Sequence, residues 1–236
     1  MKFIASFAIL SAAFAASVAA APVPPSADPF AAEIAKFERG NLGLQDTNTG
    51  TLFIGSSSVR LWTQVDEFPV DNGINRGFGG ATTSDVLRHY PALIGKFRPS
   101  SIIVYVGEND IAAGRQPEAV TADVLTLLGK LRDDFPGVHV AYLSIKPSPA
   151  RWRLWPKMEA TNAMIKARSG GGRKFDFLDV GTTLLAKTGD PEKTCFGPDG
   201  LHMSSIGYDR WNALVTSYLQ SVVEERLIER ERPSAF

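Results

Sequence analysis

Short apolar runs alternate with longer segments of helical periodicity from Thr51 onward, and this alternation constrains the fold more than any other feature of the chain. The runs SIIVYVG (101–107) and VHVAYLSI (138–145) are rich in β-branched and aromatic residues. Runs of this kind suit strands that are buried on both faces, and the helical segments between them suit crossover connections. The sequence therefore predicts a parallel sheet with helices on both faces.

The predicted strands cover residues 51–55, 71–77, 101–107, 138–145 and 175–180. The predicted helices after them cover residues 81–96, 117–134, 156–169 and 204–228. A first helix is expected to begin after Asp28 and Pro29, an N-cap followed by a proline, and to end at Gly40. Parallel sheets bind ligands at the carboxyl ends of their strands, so functional residues are expected in the loops that follow the strands.

The first 21 residues have the layout of a secretory signal peptide, with a positive Lys2, an apolar stretch and small residues before a proline. The apolar stretch is short for a membrane span, which needs about 20 residues, although an uncleaved anchor is the alternative. We expect an exported protein, periplasmic or secreted, with no stable membrane span after cleavage. The predicted organisation is a signal peptide at 1–21, a linker at 22–28, one domain at 29–228 and a tail at 229–236.

The chain carries 25 basic and 25 acidic side chains, so its formal net charge is zero. That balance gives no electrostatic reason to expect nucleic acid as a partner. Cys195 is the only cysteine, which excludes an intramolecular disulfide, and a small packed residue is a simpler interpretation of it than a nucleophile. The cysteine and histidines do not have the spacing of a zinc site, so neither a metal nor a cofactor is expected.

Four polar segments follow predicted strands or precede the last helix, where a core does not need polar side chains. They are GSSS (55–58), NRGFGGATT (75–83), GEND (107–110) and DGLH (199–202). Each one alone is accounted for by a turn or a helix cap. Together they supply the parts of an acyl-transfer site: a serine, a base with a carboxylate to orient it, and donors for an oxyanion.

These segments resemble the sequence blocks of the SGNH (GDSL) hydrolase superfamily, and the resemblance covers roughly residues 28–225. It implies a flavodoxin-like, three-layer α/β/α sandwich with a mostly parallel five-stranded sheet. It also implies a serine esterase or acylhydrolase that works through an acyl-enzyme. The matching blocks are Gly55-Ser56-Ser57, Asn75 to Thr82, Gly107-Glu108-Asn109-Asp110 and Asp199-Gly200-Leu201-His202.

The resemblance assigns a role to five residues. Ser57 is the implied nucleophile, His202 the base and Asp199 the carboxylate that orients it. The implied oxyanion hole consists of the backbone N–H groups of Ser57 and Gly80 and the side-chain amide of Asn109. The segment SIKPSPARW (144–152) further resembles one bacterial subgroup of GDSL-like lipases and acylhydrolases.

Two departures from the family pattern matter. Ser56 stands where the family usually has Asp, so we expect the nucleophile turn to be held by weaker hydrogen bonds. Glu108 occupies a variable position, and no role is predicted for it. The G-x-S-x-G elbow of the α/β-hydrolases is absent, because Val59 stands at its fifth position.

Arg76, Lys146 and Trp152 lie near the predicted site in sequence and are predicted to contact the substrate, a small-molecule, polysaccharide or lipid ester. The segment KPSPARWRLWPK (146–157) is expected to form a wall over the site, whereas Trp62 and Trp155 are more simply core residues. Two alternatives remain open at this stage: an O-acyltransferase of the cell envelope with the same fold, and a non-catalytic carbohydrate-binding protein. The other histidines are interpreted as a helix-surface residue, His89, and a structural strand residue, His139.

Overall fold

In the computed structural model of the protein, which describes residues 28–43, 50–68, 72–170 and 175–231, five strands form one sheet. The strands are β1 (Thr51–Gly55), β2 (Gly73–Gly77), β3 (Ser101–Tyr105), β4 (His139–Leu143) and β5 (Asp176–Leu178). Their order is β2-β1-β3-β4-β5, and all four pairings are parallel. This is the flavodoxin-like order, which confirms the predicted fold class and makes the sheet parallel throughout.

Helices connect the strands and cover both faces of the sheet. They are α1 (Ala31–Leu42), α2 (Ser57–Arg60), α3 (Thr83–Arg88), α4 (Tyr90–Ile94), α5 (Glu108–Ala112), α6 (Pro117–Asp134), α7 (Trp155–Lys166) and α8 (Ser205–Glu231). Short 3₁₀ segments cover Thr63–Glu67, Pro149–Leu154, Thr182–Leu184 and Lys193–Cys195.

Several helix boundaries differ from the sequence prediction. The single helix expected at 81–96 is two helices that meet at His89, because Pro91 has no N–H with which to continue the ladder. The first helix passes through Gly40 and ends at Leu42, and α8 continues to Glu231, inside the predicted tail. The predicted signal peptide, and the linker apart from Asp28, lie outside the described residues.

Alternate strand residues enter two separate cores, one on each face of the sheet. Leu52 and Ile54 of β1 join the core that α1, α3, α4, α6 and α7 cover. Phe53, between them, points to the opposite core, which α8 covers with Trp211 and Val215. This alternation follows from the two-residue period of a strand and produces the three layers. Within the described segments, no helix is both long enough and apolar enough to cross a bilayer.

The strand order determines where on the sheet a ligand is expected to bind. From β1 the chain moves to β2 on one side, and from β2 it returns past β1 to β3 on the other side. The carboxyl ends of β1 and β3 therefore flank a topological switch point, where open parallel sheets bind their ligands.

Candidate active site

The nucleophile turn follows β1 directly. Ser57 is the first residue of α2, and the buried Ser56 is its N-cap. A side chain at Gly55 would place its Cβ 2.0 Å from the carbonyl oxygen of Tyr105, so only glycine fits between β1 and β3 here. This close approach places the half-buried Ser57 at the carboxyl edge of the sheet.

Side chains from β2 and α8 hold this turn from two sides. Asn75 donates from Nδ2 to the carbonyl oxygen of Val59 at 2.6 Å, and the Tyr208 hydroxyl donates to the carbonyl oxygen of Ser58 at 2.9 Å. The Ser56 hydroxyl makes no capping hydrogen bond to any described residue. In place of an aspartate at position 56, the turn is therefore anchored through its carbonyl groups.

Ser57, His202 and Asp199 form one hydrogen-bonded series. His202 Nε2 lies 3.1 Å from Ser57 Oγ, and His202 Nδ1 lies 2.7 Å from Asp199 Oδ2. A carboxylate only accepts hydrogen bonds, so Nδ1 carries the proton and Nε2 is left as the acceptor for the serine hydroxyl. The imidazole is thus in the tautomer that can remove a proton from Ser57.

The turn before α8 keeps Asp199 charged and oriented. Its Oδ1 accepts hydrogen bonds from the backbone N–H groups of Leu201 at 2.9 Å and His202 at 3.0 Å. These bonds, led by that of Leu201 and joined by the His202 side chain, lower the pKa of Asp199 to about 2. The carboxylate is therefore ionised at neutral pH, although its side chain is half exposed.

The other two predicted blocks meet at Asn109 and the loop after β2. Asn109 donates from Nδ2 to the carbonyl oxygen of Ala81 at 2.9 Å, next to Gly80. Gly80 is exposed and has a φ of 77°, a conformation that favours glycine. The buried Asp110 accepts from the backbone N–H of Thr83 at 2.9 Å and so ties the same loop to α5. The structure therefore brings the predicted oxyanion-hole residues to one edge of the sheet.

A buried charge cluster behind Asn109 was missed by sequence reasoning. Glu108 accepts hydrogen bonds from Lys146 Nζ at 2.9 Å and from the Tyr105 hydroxyl at 2.7 Å, and it forms an ion pair with Arg151, whose Nη1 lies 3.1 Å from Oε1. Burial alone would raise the pKa of Glu108, but the charges of Lys146 and Arg151 outweigh it and hold that pKa below its ordinary value. A detectable signal was present, since Glu108 and Lys146 follow adjacent strands, and opposite charges at neighbouring strand ends favour a pair.

Two of the three predicted substrate contacts are wrong. The Arg76 guanidinium is buried beside the rings of Phe37 and Phe97, at 5.1 Å and 4.7 Å, and donates to Asn41 Oδ1 at 2.7 Å. Lys146 is 1% exposed. Its ammonium group is occupied by Glu108 and by the carbonyl oxygen of Leu201, so it cannot reach a ligand.

The segment after β4 packs against the turn that carries His202. The backbone N–H of Ala150 donates to the carbonyl oxygen of Gly200 at 2.9 Å, so this part of the expected wall adjoins the site. Trp152 is half-buried and stacks on Trp155, with ring centroids 6.0 Å apart. Its contact with substrate stays a prediction. Trp62 and Trp155 are buried, as expected of core residues.

The remaining candidates lie outside this site. His89 is nearly buried, lies 3.1 Å from Asp28 and packs edge-on against Phe30 and Phe78, so it is not the surface residue expected. Cys195 is fully buried.

A cavity of about 940 Å³ lies at the opposite edge of the sheet, beside His139 and Asp176. Among the described residues, no group of three or more His, Cys, Asp or Glu side chains is arranged to hold a metal ion.

Known proteins share this fold. A protein from Streptococcus pneumonia proposed to be a platelet activating factor superposes with a TM-score of 0.71 at 22% identity, over 80% of this chain and 92% of that one. A GDSL-like lipase from Bacteroides thetaiotaomicron gives 0.69 at 19% identity, over 80% and 97%. An acetylxylan esterase from Geobacillus stearothermophilus gives 0.57 at 12% identity, over 74% and 96%. No curated protein is significantly similar in sequence.

At the carboxyl edge of the parallel sandwich, a serine, a histidine and a carboxylate are in hydrogen-bond contact, an arrangement typical of serine hydrolases. The sequence profile of the GDSL-like lipase/acylhydrolase family matches residues 55–210, which include all four blocks. The chain belongs to that family.

Proposed function

We propose that the protein is a serine esterase or acylhydrolase that cleaves carboxylic esters through an acyl-enzyme on Ser57. The observation that carries this proposal is the series in which His202 Nε2 lies 3.1 Å from Ser57 Oγ and Nδ1 lies 2.7 Å from the ionised Asp199. These distances lie within hydrogen-bond reach, as a nucleophile and its base require.

In the first half of the reaction, His202 Nε2 takes the proton of Ser57 as Oγ forms a bond to the ester carbonyl carbon. The carbonyl oxygen becomes an oxyanion, which accepts hydrogen bonds from the backbone N–H groups of Ser57 and Gly80 and from Asn109 Nδ2. When the intermediate collapses, the carbon–oxygen bond to the alcohol breaks and His202 gives its proton to the leaving oxygen. The acyl group is then an ester of Ser57.

In the second half, a water molecule takes the place of the alcohol. His202 removes its proton as the water oxygen attacks the acyl-enzyme, and the same donors hold the second oxyanion. Collapse returns the proton to Ser57 Oγ and releases the acid. The negative charge of Asp199 stabilises the imidazolium that forms in both halves.

The substrate class is an acylated carbohydrate or a lipid ester met outside the cytoplasm. The signal-peptide pattern of residues 1–21 supports export to the periplasm or the medium. The half-buried Trp152, two residues after the Ala150 that donates to Gly200 in the turn of His202, offers an aromatic side chain of the kind that suits sugar rings. The structural likeness to an acetylxylan esterase agrees with an ester on a carbohydrate.

A panel of esters tests the reaction. The exported form of the protein is assayed on p-nitrophenyl acetate, butyrate and octanoate and on acetylated xylan, with Ser57→Ala and Ser58→Ala as matched variants. Ser58 adjoins the nucleophile but its hydroxyl has no part in the reaction, so Ser58→Ala should hydrolyse at the parental rate and Ser57→Ala should be almost inactive. Equal hydrolysis by Ser57→Ala and the parent, or failure of a fluorophosphonate to label Ser57, contradicts the proposal.

Product analysis separates hydrolysis from acyl transfer, because the two share the acyl-enzyme and differ only in whether water or an alcohol attacks it. With acetylated xylan and an unacetylated polysaccharide present together, the proposal predicts free acetate and no newly acetylated polymer. Export is tested by the N-terminal sequence of protein recovered from the periplasm or medium, which should begin just after Ala19 to Ala21.

A further inference from the structure

We propose that Arg151 is a positioning residue that orients and polarises the side-chain amide of Asn109. Oxyanion stabilisation by Asn109 then depends on the charge of Arg151. The inference rests on the proposed function, because it concerns the donor side of the same site. The inference assigns a role to a residue of the segment after β4 (146–157), which takes no part in the mechanism described above.

The contacts of Asn109 fix which way its amide faces. Its Oδ1 accepts from Arg151 Nη1 at 3.0 Å, and its Nδ2 donates to the carbonyl oxygen of Ala81 at 2.9 Å. A guanidinium only donates and a carbonyl only accepts, so both partners demand the same orientation. The nitrogen has two hydrogens, and the one that Ala81 does not take is left for an oxyanion. A flipped amide would present oxygen to that charge and repel it.

The charge of Arg151 also strengthens Asn109 as a donor. A hydrogen bond from an ionised donor draws electron density towards the amide oxygen and leaves the amide N–H more positive. Hydrogen bonds arranged in series reinforce each other in this way, most of all where water is excluded. The series here runs from Arg151 through the amide of Asn109 to the oxygen that becomes negative in the transition state.

The cluster that holds Arg151 does not cancel its charge. Glu108 lies between two cations, Lys146 at 2.9 Å and Arg151 at 3.1 Å, so the three side chains together carry one net positive charge. The side chains of Lys146 and Glu108 are 1% and 5% exposed, whereas that of Arg151 is 22% exposed. The uncompensated charge is therefore at Arg151, on the side of the cluster that contacts Asn109.

The same cluster indicates that Arg151 can be replaced without loss of the fold. Glu108 keeps Lys146 and the Tyr105 hydroxyl when the guanidinium is removed, so no buried carboxylate is left alone. Lys146 also keeps its bond to the carbonyl oxygen of Leu201 at 2.9 Å, which supports the turn between Asp199 and His202. The base side of the site should therefore be intact in Arg151 variants.

A double-mutant cycle on p-nitrophenyl acetate tests the inference. The variants are Arg151→Met, Arg151→Lys, Asn109→Ala and the double variant with Arg151→Met and Asn109→Ala. Arg153→Met is the matched control, because Arg153 is exposed and lies in the same 3₁₀ segment. We expect Arg151→Met to lower kcat about 10-fold, less than the roughly 10²–10³-fold loss for a missing oxyanion donor, and Arg151→Lys to recover part of it.

Two further readouts distinguish positioning from other roles. Acylation and deacylation both pass through an oxyanion, so kcat should fall while KM stays within about twofold of the parent. In the Asn109→Ala background, Arg151→Met should change kcat by less than about twofold, because the group through which Arg151 acts is gone. Thermal unfolding of each variant checks that the fold is intact. The rate at which a fluorophosphonate labels Ser57 extends the comparison to variants too slow for steady-state assay.

Several results would overturn the inference. If the losses from Arg151→Met and Asn109→Ala multiply in the double variant, Arg151 acts independently of Asn109. A higher KM confined to esters with an anionic group would make Arg151 a substrate contact instead. Equal kcat in Arg151→Met and the parent would remove the role altogether. A parent without Ser57-dependent hydrolysis is a different failure, because it contradicts the esterase proposal and precedes any comparison of variants.

Discussion

His202 Nε2 lies 3.1 Å from Ser57 Oγ although 145 positions separate the two residues. Two hydrogen bonds that involve α8 help to fix this distance. The Tyr208 hydroxyl donates to the carbonyl oxygen of Ser58, and Trp62 Nε1 donates to Asn212 Oδ1 at 2.7 Å. The helix that begins just after the base is thus bonded to the turn that carries the nucleophile, so the two groups approach as parts of one packed unit.

Asp199→Asn should lower kcat by about 10²–10⁴-fold. The asparagine amide can donate to Nδ1, which favours the imidazole tautomer that cannot accept the proton of Ser57. Asp199 is half exposed, and water can take over part of its role, so we expect the loss to lie below the upper end of that range. Steady-state hydrolysis of p-nitrophenyl acetate measures it, with Asp190→Asn, an exposed carboxylate, as control.

The pH dependence of this comparison adds a second check. The pKa of Asp199 is about 2, so its carboxylate stays charged at neutral and alkaline pH. The parental carboxylate is therefore equally charged at pH 8 and pH 9, and the ratio of parental to Asp199→Asn activity should be similar at these two values. A ratio that collapses between them, or a variant within twofold of the parent at either pH, contradicts the role given to Asp199.

The sheet and the strand-end site were predictable because they depend on short-range patterns. Apolar runs such as SIIVYVG specify buried strands whatever the rest of the chain does, and the four polar blocks each occupy one loop. Once the strands are parallel, their carboxyl ends share an edge. Ser57 and Asn109, at the ends of neighbouring strands, are then necessarily close.

The side chains around the site were less predictable, because proximity in sequence does not fix direction. Arg76 lies in β2, just before the predicted glycine loop. Its side chain nevertheless points away from the site, to the core that α1 covers, where it contacts Phe37. The sequence predicts a substrate contact for Lys146 and no role for Glu108, since only the pairing of β3 with β4 brings the two side chains together. Direction and pairing are tertiary properties, which a single pattern does not contain.

Arg76→Met should leave KM unchanged and lower the free energy of unfolding by about 1–2 kcal/mol. The guanidinium is buried between two rings and bonded to Asn41, so its removal costs cation–π and hydrogen-bond energy but no contact with substrate. Urea unfolding and steady-state kinetics measure the two effects. Arg88→Met, on an exposed position of α3, is the control for loss of a positive charge. A severalfold rise in KM for Arg76→Met alone would restore the sequence prediction.

Cys195 should resist thiol reagents in the folded protein. The residue is fully buried, and burial raises the pKa of its thiol, so little reactive thiolate is present at pH 8. We expect reaction with a disulfide reagent to be slow in buffer and fast in denaturing urea, which absorbance of the released thiolate measures. Rapid modification of the native protein would mean that this thiol is accessible and that its packing role is misassigned.

Glu108→Gln should lower the free energy of unfolding by about 3–5 kcal/mol at pH 7, because it leaves Lys146 as a buried cation without an anion. The folded-state pKa of Glu108 lies below its ordinary value of about 4.3, so the unfolded chain takes up the proton first as the pH falls. The stability that Glu108 contributes is therefore fully present above that ordinary value and is lost as the pH falls through the lowered one. Urea unfolding at pH 7 and below pH 4 should show the difference between parent and variant shrinking, whereas Glu118→Gln, on an exposed position of α6, should change little at either pH. A difference that is equal at both pH values would mean that the charge of Glu108 does not hold the cluster together.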